Sequence, residues 1–182
     1  MADSKQPRKP AAPSELDYAA NGRDELNLAE FPISVLQWKQ PKDKDGRKLD
    51  TIVYEATAYN PVARRVIPQR VTLTSPTKIG LPTPADEVVI LALLCVAKHM
   101  HDFAEPRVHF SPHQLFRIIG WSPNPESYDR LATALMRYKA LTILYENAWW
   151  DANPRQYKSR FMTGIIAEAK IEPTRGRLKD HT

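Results

Sequence analysis

Three segments in the second half of the chain each open with a helix-capping residue followed directly by proline. The three pairs are Thr83-Pro84, Ser111-Pro112 and Asn124-Pro125. A capping side chain accepts a hydrogen bond from an unpaired backbone amide, and proline loses no hydrogen bond at the first helical position. The pattern therefore predicts three helices, over residues 84–101, 112–119 and 125–140.

Runs of β-branched and aromatic residues predict a long hairpin before these helices. Residues 51–59 and 65–74 lie on either side of the turn signal Asn60-Pro61. Pro68 cannot donate to a strand ladder, so it indicates an edge position in the second strand.

Strands are also predicted among and after the helices. A short one covers residues 107–110, and residues 141–146 and 161–167 form a pair around the loop 147–160. Helix, short strand, helix, tight turn, helix and hairpin follow one another as in a winged helix-turn-helix. The predicted fold class is therefore α+β, a winged helix-turn-helix domain with an N-terminal β-hairpin extension.

The composition fits one globular domain with polar ends. Among 182 residues, 42% are hydrophobic and 26% charged, which suffices for a packed core. The proline-rich and basic residues 1–26 and the basic residues 173–182 are predicted to be disordered tails. Between them we expect an N-terminal extension at 27–82, which contains the hairpin, and a winged-helix domain at 83–172.

Charge and hydropathy limit the cellular location and the kind of partner that the sequence predicts. The formal net charge of +5 suits a polyanionic partner. No apolar run approaches the length of a membrane span, and the N-terminus lacks the apolar region of a signal peptide. The single cysteine, Cys95, argues against a disulfide framework. We expect a cytoplasmic protein without membrane association.

The third predicted helix and the loop after it carry the best candidates for DNA contact. One helix face is apolar, and the opposite face carries small, polar and arginine residues that suit a DNA groove. These residues are Ser127, Arg130, Thr133, Ala134 and Arg137. The loop interleaves basic and aromatic residues, as a wing on the sugar-phosphate backbone would. The candidate DNA-binding residues are Ser127, Arg130, Thr133, Arg137, Arg155, Lys158 and Arg160. Trp149 and Trp150 are candidates for a dimer interface or for the core.

Catalytic patterns do not stand out. His99-Met100-His101 has the spacing of a metal-binding triplet, but at a helix end its two histidines point in different directions. The chain has no phosphate-binding glycine loop and no nucleophile elbow. Cys95 lies in the most apolar helix, where an inert thiol is expected. We therefore predict no enzyme activity, no metal and no cofactor.

Several stretches together resemble the bacterial replication initiator protein A family, which are plasmid-type initiators built from winged helices. The resemblance covers roughly residues 24–167, and it rests on the stretches Asn27–Pro32, Gly80–Thr83, Arg107–Phe110, Ile119–Trp121, Ser127–Leu131 and Tyr145–Asp151. It implies binding to repeated sites in double-stranded origin DNA, duplex opening, and recruitment of the host replication helicase or its loader. It implies no catalytic chemistry.

Two other interpretations stay open from the sequence. Related plasmid initiators usually pair two winged-helix domains, and this chain carries the element order of one. The chain is then either the DNA-binding domain of an initiator, with a homodimer expected, or a dimerisation module with weak DNA binding of its own. A winged-helix transcriptional regulator has the same fold.

Overall fold

The computed structural model describes residues 30–151 and 156–170, which form three helices and two antiparallel sheets. The class is therefore α+β, as predicted. The helices are α1 (Pro84–His101), α2 (Pro112–Ile119) and α3 (Pro125–Ala140). The strands are β1 (Thr51–Asn60), β2 (Arg65–Thr74), β3 (Thr142–Glu146), β4 (Trp149–Asp151), β5 (Gln156–Lys158) and β6 (Phe161–Thr163).

The three helix starts lie where the cap and proline pairs predict them. The Asp86 carboxylate accepts hydrogen bonds from the backbone and hydroxyl of Thr83 at the start of α1. Ser111 Oγ accepts from Gln114 N at α2, and Asn124 Oδ1 accepts from the third residue of α3. Each cap satisfies an amide that the helix itself leaves unpaired, which fixes where the helix begins.

The predicted hairpin is confirmed, and it belongs to a larger sheet. The strand order is β1-β2-β3-β6, and all neighbours are antiparallel. β3 pairs with only the last five residues of β2, so the remainder of the β1–β2 hairpin extends past it. β4 and β5 form a separate two-stranded sheet. The predicted boundary at residue 82 stays a prediction, but residues on both sides of it share the larger sheet.

The core consists of two clusters with α1 between them. Ile90 of α1 joins Val71, Leu73 and Ile143 of the sheet, together with the buried N-terminal segment 31–35. Other residues of α1, beginning with Val89, pack instead against α2 and α3. The helices and the sheet are therefore held together through α1, which explains the long apolar run in this helix.

Three local predictions need correction or lie outside the described residues. Residues 107–110 form no strand; Val108 and Phe110 pack against the helical cluster instead. β6 ends at Thr163 rather than at residue 167, and its ladder with β3 covers three residue pairs, from Ile143–Thr163 to Tyr145–Phe161. The predicted tails, 1–26 and 173–182, lie outside the described residues, whose ends are 30 and 170.

Candidate nucleic-acid interface

The outer face of α3 lines an open cleft of about 370 Å³ between α3, the start of α1 and the N-terminal segment. Trp121, from the connection between α2 and α3, forms part of its wall. The other side chains in the lining are Trp38, Gln40, Thr83, Ala85, Asp86, Glu126, Asp129, Arg130, Thr133 and Arg137. Three of the seven candidate DNA-binding residues therefore meet in one concave surface.

Arg130 is the exposed cation of this cleft. Its guanidinium carbon lies 4.0 Å from the centroid of the Trp121 ring, so the two planar groups are in cation–π contact. Such contacts contribute about 0.5–1 kcal/mol at exposed sites. The contact restricts the side chain and leaves the guanidinium N–H groups able to reach a further acceptor.

Arg137 is held by an ion pair instead. Its Nη1 lies 2.7 Å from Oδ2 of Asp86, and only 18% of its side chain is exposed. The Asp86 carboxylate that caps α1 therefore also anchors the C-terminal half of α3. Within the described residues, the buried Nε of Arg137 has no hydrogen-bond partner.

Ser127 and Thr133 differ in their positions. Ser127 is only 4% exposed, and its backbone amide donates to the Asn124 side chain at the start of α3. The prediction that Ser127 lies on the outer face is wrong, because α3 packs against both α1 and α2 and its buried arc is wider than the apolar residues indicate. Ala134, assigned to the same face, is also buried. Thr133 is half-buried and lines the cleft.

The predicted wing cations are engaged within the hairpin that carries them. Lys158 Nζ lies 3.4 Å from Asp151 and 4.6 Å from the Phe161 ring centroid. Arg160 is exposed, and its Nη2 lies 2.8 Å from Oε1 of Glu146. Arg155 lies outside the described residues. The structure does not bring Lys158 or Arg160 into the cleft that α3 lines.

The two tryptophans of this hairpin are both half-buried. Trp149 packs against Tyr145 and Phe161, with ring centroids 5.1 and 4.7 Å away, on the sheet-side core cluster. Trp150 packs against Tyr157 at 5.0 Å. Burial raises the pKa of the Tyr157 hydroxyl, with a further contribution from the charge of Glu30. Trp149 thus contributes to the core, and its assignment to a dimer interface stays a prediction.

The sequence did not indicate that the N-terminal segment contributes to the cleft. Trp38 is 79% exposed at its edge, and Gln40 Nε2 donates a hydrogen bond to the carbonyl of Leu81. The only signal in the sequence was the presence of two polar or aromatic residues beside a charged turn. The hydrogen bond of Gln40 to Leu81 joins residues 41 positions apart, and only the fold brings them together.

The described residues contain neither a group of side chains placed to hold a metal ion nor a helix that could cross a membrane. Within 30–151 and 156–170, no group of three histidine, cysteine, aspartate or glutamate side chains is placed to hold a metal ion. His113 Nδ1 lies 3.4 Å from the Tyr128 hydroxyl, and Cys95 is buried. No helix in these ranges combines the length and the hydropathy that crossing a membrane requires.

Comparison with known proteins finds similarity at the level of fold. No family model matches the chain, and no curated protein matches it. The crystal structure of selenomethionine derivatives of domains 2 and 3 of RctB is similar over 81% of this chain, with a TM-score of 0.51 and 14% sequence identity. A second crystal structure of RctB domains 2-3 has a TM-score of 0.49 and 10% identity over 82% of this chain. The chain spans about half the length of each of these structures.

Proposed function

We propose that this chain is a replication-initiator domain that binds double-stranded origin DNA through the outer face of α3. In this proposal, α1–α3 and the β3–β6 hairpin act as a winged helix in the cytoplasm, without a catalytic step of their own. The observation that carries the proposal is the fold similarity to domains 2 and 3 of RctB, a replication initiator of Vibrio chromosome II. Residues 120–124 supply the short connection between α2 and α3 that a helix-turn-helix needs.

The N-terminal half of α3 is the part proposed to enter the major groove. Recognition helices contact base edges mainly with their N-terminal residues. Arg130 and Thr133 are three residues apart, so they lie on the same face of α3. Arginine reads guanine through two parallel hydrogen bonds, and the contact with Trp121 reduces the entropy that Arg130 would lose on binding. Arg137 is proposed to hold α3 in place.

Lys158 and Arg160 remain proposed phosphate contacts from the wing. The ion pair between Arg160 and Glu146 does not prevent this, because Arg160 is exposed and surface ion pairs contribute only about 0–1 kcal/mol. A DNA phosphate can therefore replace the carboxylate at Arg160 at small cost. The resemblance to plasmid initiators adds the host helicase or its loader as a proposed partner.

Binding to labelled duplex, followed by fluorescence anisotropy at several salt concentrations, tests this function. A sequence is first selected from a randomised duplex pool by the wild-type chain. We expect Arg130→Ala to weaken binding to that sequence by about 1–3 kcal/mol and to relax preference at one base pair. Arg65→Ala, which removes an exposed cation at the hairpin turn, serves as the control. Absence of both selection and salt dependence in the wild type would refute the proposal.

A dimerisation module is the second candidate, and the open face of the larger sheet favours it. The strand registers place Val53, Thr72, Leu144 and Met162 in one row across all four strands. Val53 and Met162 are exposed at the two ends of this row. Under this candidate, sedimentation shows a dimer that Met162→Asp dissociates, and duplex binding is weak in both proteins.

A further inference from the structure

Residues 39–48 form a compact basic loop that leads from the N-terminal segment into β1. It carries two acidic residues, Asp43 and Asp45, against five cations. The five cations are Lys39, Lys42, Lys44, Arg47 and Lys48. All of them are exposed except Lys48, which is half-buried. We call residues 39–48 the basic loop.

The basic loop is held in one conformation by its own backbone. Asp43 N donates to the carbonyl of Arg47 at 2.8 Å, and Gly46 N donates to the carbonyl of Asp43 at 3.1 Å. The Asp43 side chain also accepts from the amides of Asp45 and Arg47 at 2.9 and 2.8 Å. Gly46, at φ 78°, supplies the left-handed residue that this turn requires. The backbone from which its cations project is therefore ordered before any partner binds.

Three cations of the basic loop differ in their contacts from Arg137 and Arg160. Within the described residues, no ion pair or hydrogen bond engages the charged groups of Lys42, Lys44 or Arg47. By contrast, Arg137 and Arg160 each contact a carboxylate. The Asp43 carboxylate accepts hydrogen bonds from backbone amides of the same loop. Across residues 30–151 and 156–170, no carboxylate forms an ion pair with Lys42, Lys44 or Arg47, and the loop carries five cations against two acidic residues.

The basic loop lies beside the cleft that α3 lines. Trp38 and Gln40, at its N-terminal end, are part of that cleft. A Cβ atom placed on Gly80 would lie 2.5 Å from Gln40 Oε1 and 3.5 Å from Lys48 Cδ, so both ends of the loop pack against the segment that leads into α1. Arg64 and Arg65 lie beyond the other end of β1. The ten residues of this strand separate them from the basic loop by about 30 Å.

We propose that the basic loop is a second phosphate-binding element, which grips the DNA backbone next to the groove that α3 enters. This inference rests on the proposed function, because it assigns a further contact to the same duplex. Its chemistry is that of ammonium and guanidinium groups on phosphate oxygens, which adds affinity without reading sequence. The preformed loop reduces the ordering cost of this contact.

The test compares the salt dependence of duplex binding in two matched double variants of the full chain. Lys44→Ala/Arg47→Ala removes two cations of the basic loop, and Arg64→Ala/Arg65→Ala removes two at the far end of the hairpin. Each lost phosphate contact reduces the slope of log K against log salt by about 0.9. We therefore expect the loop variant to lose about 1.8 from this slope. Its gain in affinity between 200 and 50 mM salt would be about 12-fold smaller than in the wild type.

The outcomes separate this inference from the function on which it rests. A reduced slope in the loop variant only, with base preference and melting temperature unchanged, supports the loop as a phosphate clamp. If wild-type binding depends steeply on salt and the loop variant keeps the same slope, the clamp is overturned and the proposed function stands. Equal losses in both variants also overturn it, because they indicate general attraction. If the wild type shows no salt-dependent binding, the proposed function itself fails.

Discussion

The ion pair between Asp86 and Arg137 joins the start of α1 to α3, so replacing either residue should destabilise the fold. Oδ2 of Asp86 accepts three hydrogen bonds, from the Thr83 amide, the Thr83 hydroxyl and Nη1 of Arg137, at 2.8, 2.8 and 2.7 Å. Asp86→Ala removes all three acceptor contacts. Arg137→Ala removes one of them and leaves the cap of α1 intact.

The expected magnitudes follow from these contacts. Loss of a helix cap costs about 1 kcal/mol, and orphaning one partner of a fully buried ion pair costs about 3–5 kcal/mol. Arg137 borders an open cleft, where water can reach a guanidinium that has lost its partner. We therefore expect Asp86→Ala to lower the free energy of unfolding by about 3 kcal/mol. Arg137→Ala should cost about 1.5 kcal/mol, because Thr83 still satisfies the carboxylate.

Urea unfolding followed by tryptophan fluorescence, applied to both single variants and the double variant, measures the coupling between these residues. We expect a coupling free energy of about 1 kcal/mol, since the second substitution removes a group that has already lost its partner. A coupling below about 0.3 kcal/mol, within the usual additivity error, would refute the pairing. So would an Arg137→Ala variant that keeps full stability and loses base preference, which is the behaviour of a residue that contacts DNA.

Three further predictions concern the turn before α1, the second hairpin and a buried hydroxyl. Gly80→Ala should lower unfolding free energy by about 1–2 kcal/mol in urea titrations, because φ is 85° and the new Cβ meets Gln40; unchanged stability would contradict this. Trp149→Ala should lower the free energy of unfolding by about 2–3 kcal/mol, because its half-buried ring packs against Tyr145 and Phe161. A stable variant that no longer dimerises would instead assign the ring to an interface. Burial raises the pKa of Tyr138 far above its ordinary value, so the folded state keeps this proton. The stability that this pKa shift contributes is present below pH 10 and is lost as the pH rises above it. Ultraviolet titration should show at least one tyrosine that ionises only on unfolding, and ionisation of every tyrosine in the folded protein would contradict this.

Local chemistry made the helices and the hairpin predictable. A cap residue and the proline after it act within one turn, so the starts of α1, α2 and α3 needed no tertiary information. Runs of β-branched and aromatic residues and the Asn60-Pro61 turn predicted β1 and β2 in the same way. Pro68 indicated an edge strand, but it lies where β2 extends past β3 and no ladder hydrogen bond is required of it.

The candidate site depended more strongly on tertiary contacts, and the sequence predicted less of it. Arg130 and Thr133 were identified from helical periodicity, which correctly placed them on the outer face of α3. Ser127 was misplaced because the buried arc of a helix depends on how many neighbours pack against it. The partner of Arg137 lies fifty-one positions away in the chain, and no local pattern indicates such a pair.

A chemical-shift map of backbone amides, recorded with and without the selected duplex, tests the central claim most directly. The account predicts shifts concentrated in the N-terminal half of α3, around Arg130 and Thr133, and in the basic loop at residues 39–48. Amides around Arg64 and Arg65, at the far end of the β1–β2 hairpin, should be unaffected. Shifts confined to the open sheet face around Val53 and Met162, or no shifts at any duplex concentration, would contradict the account.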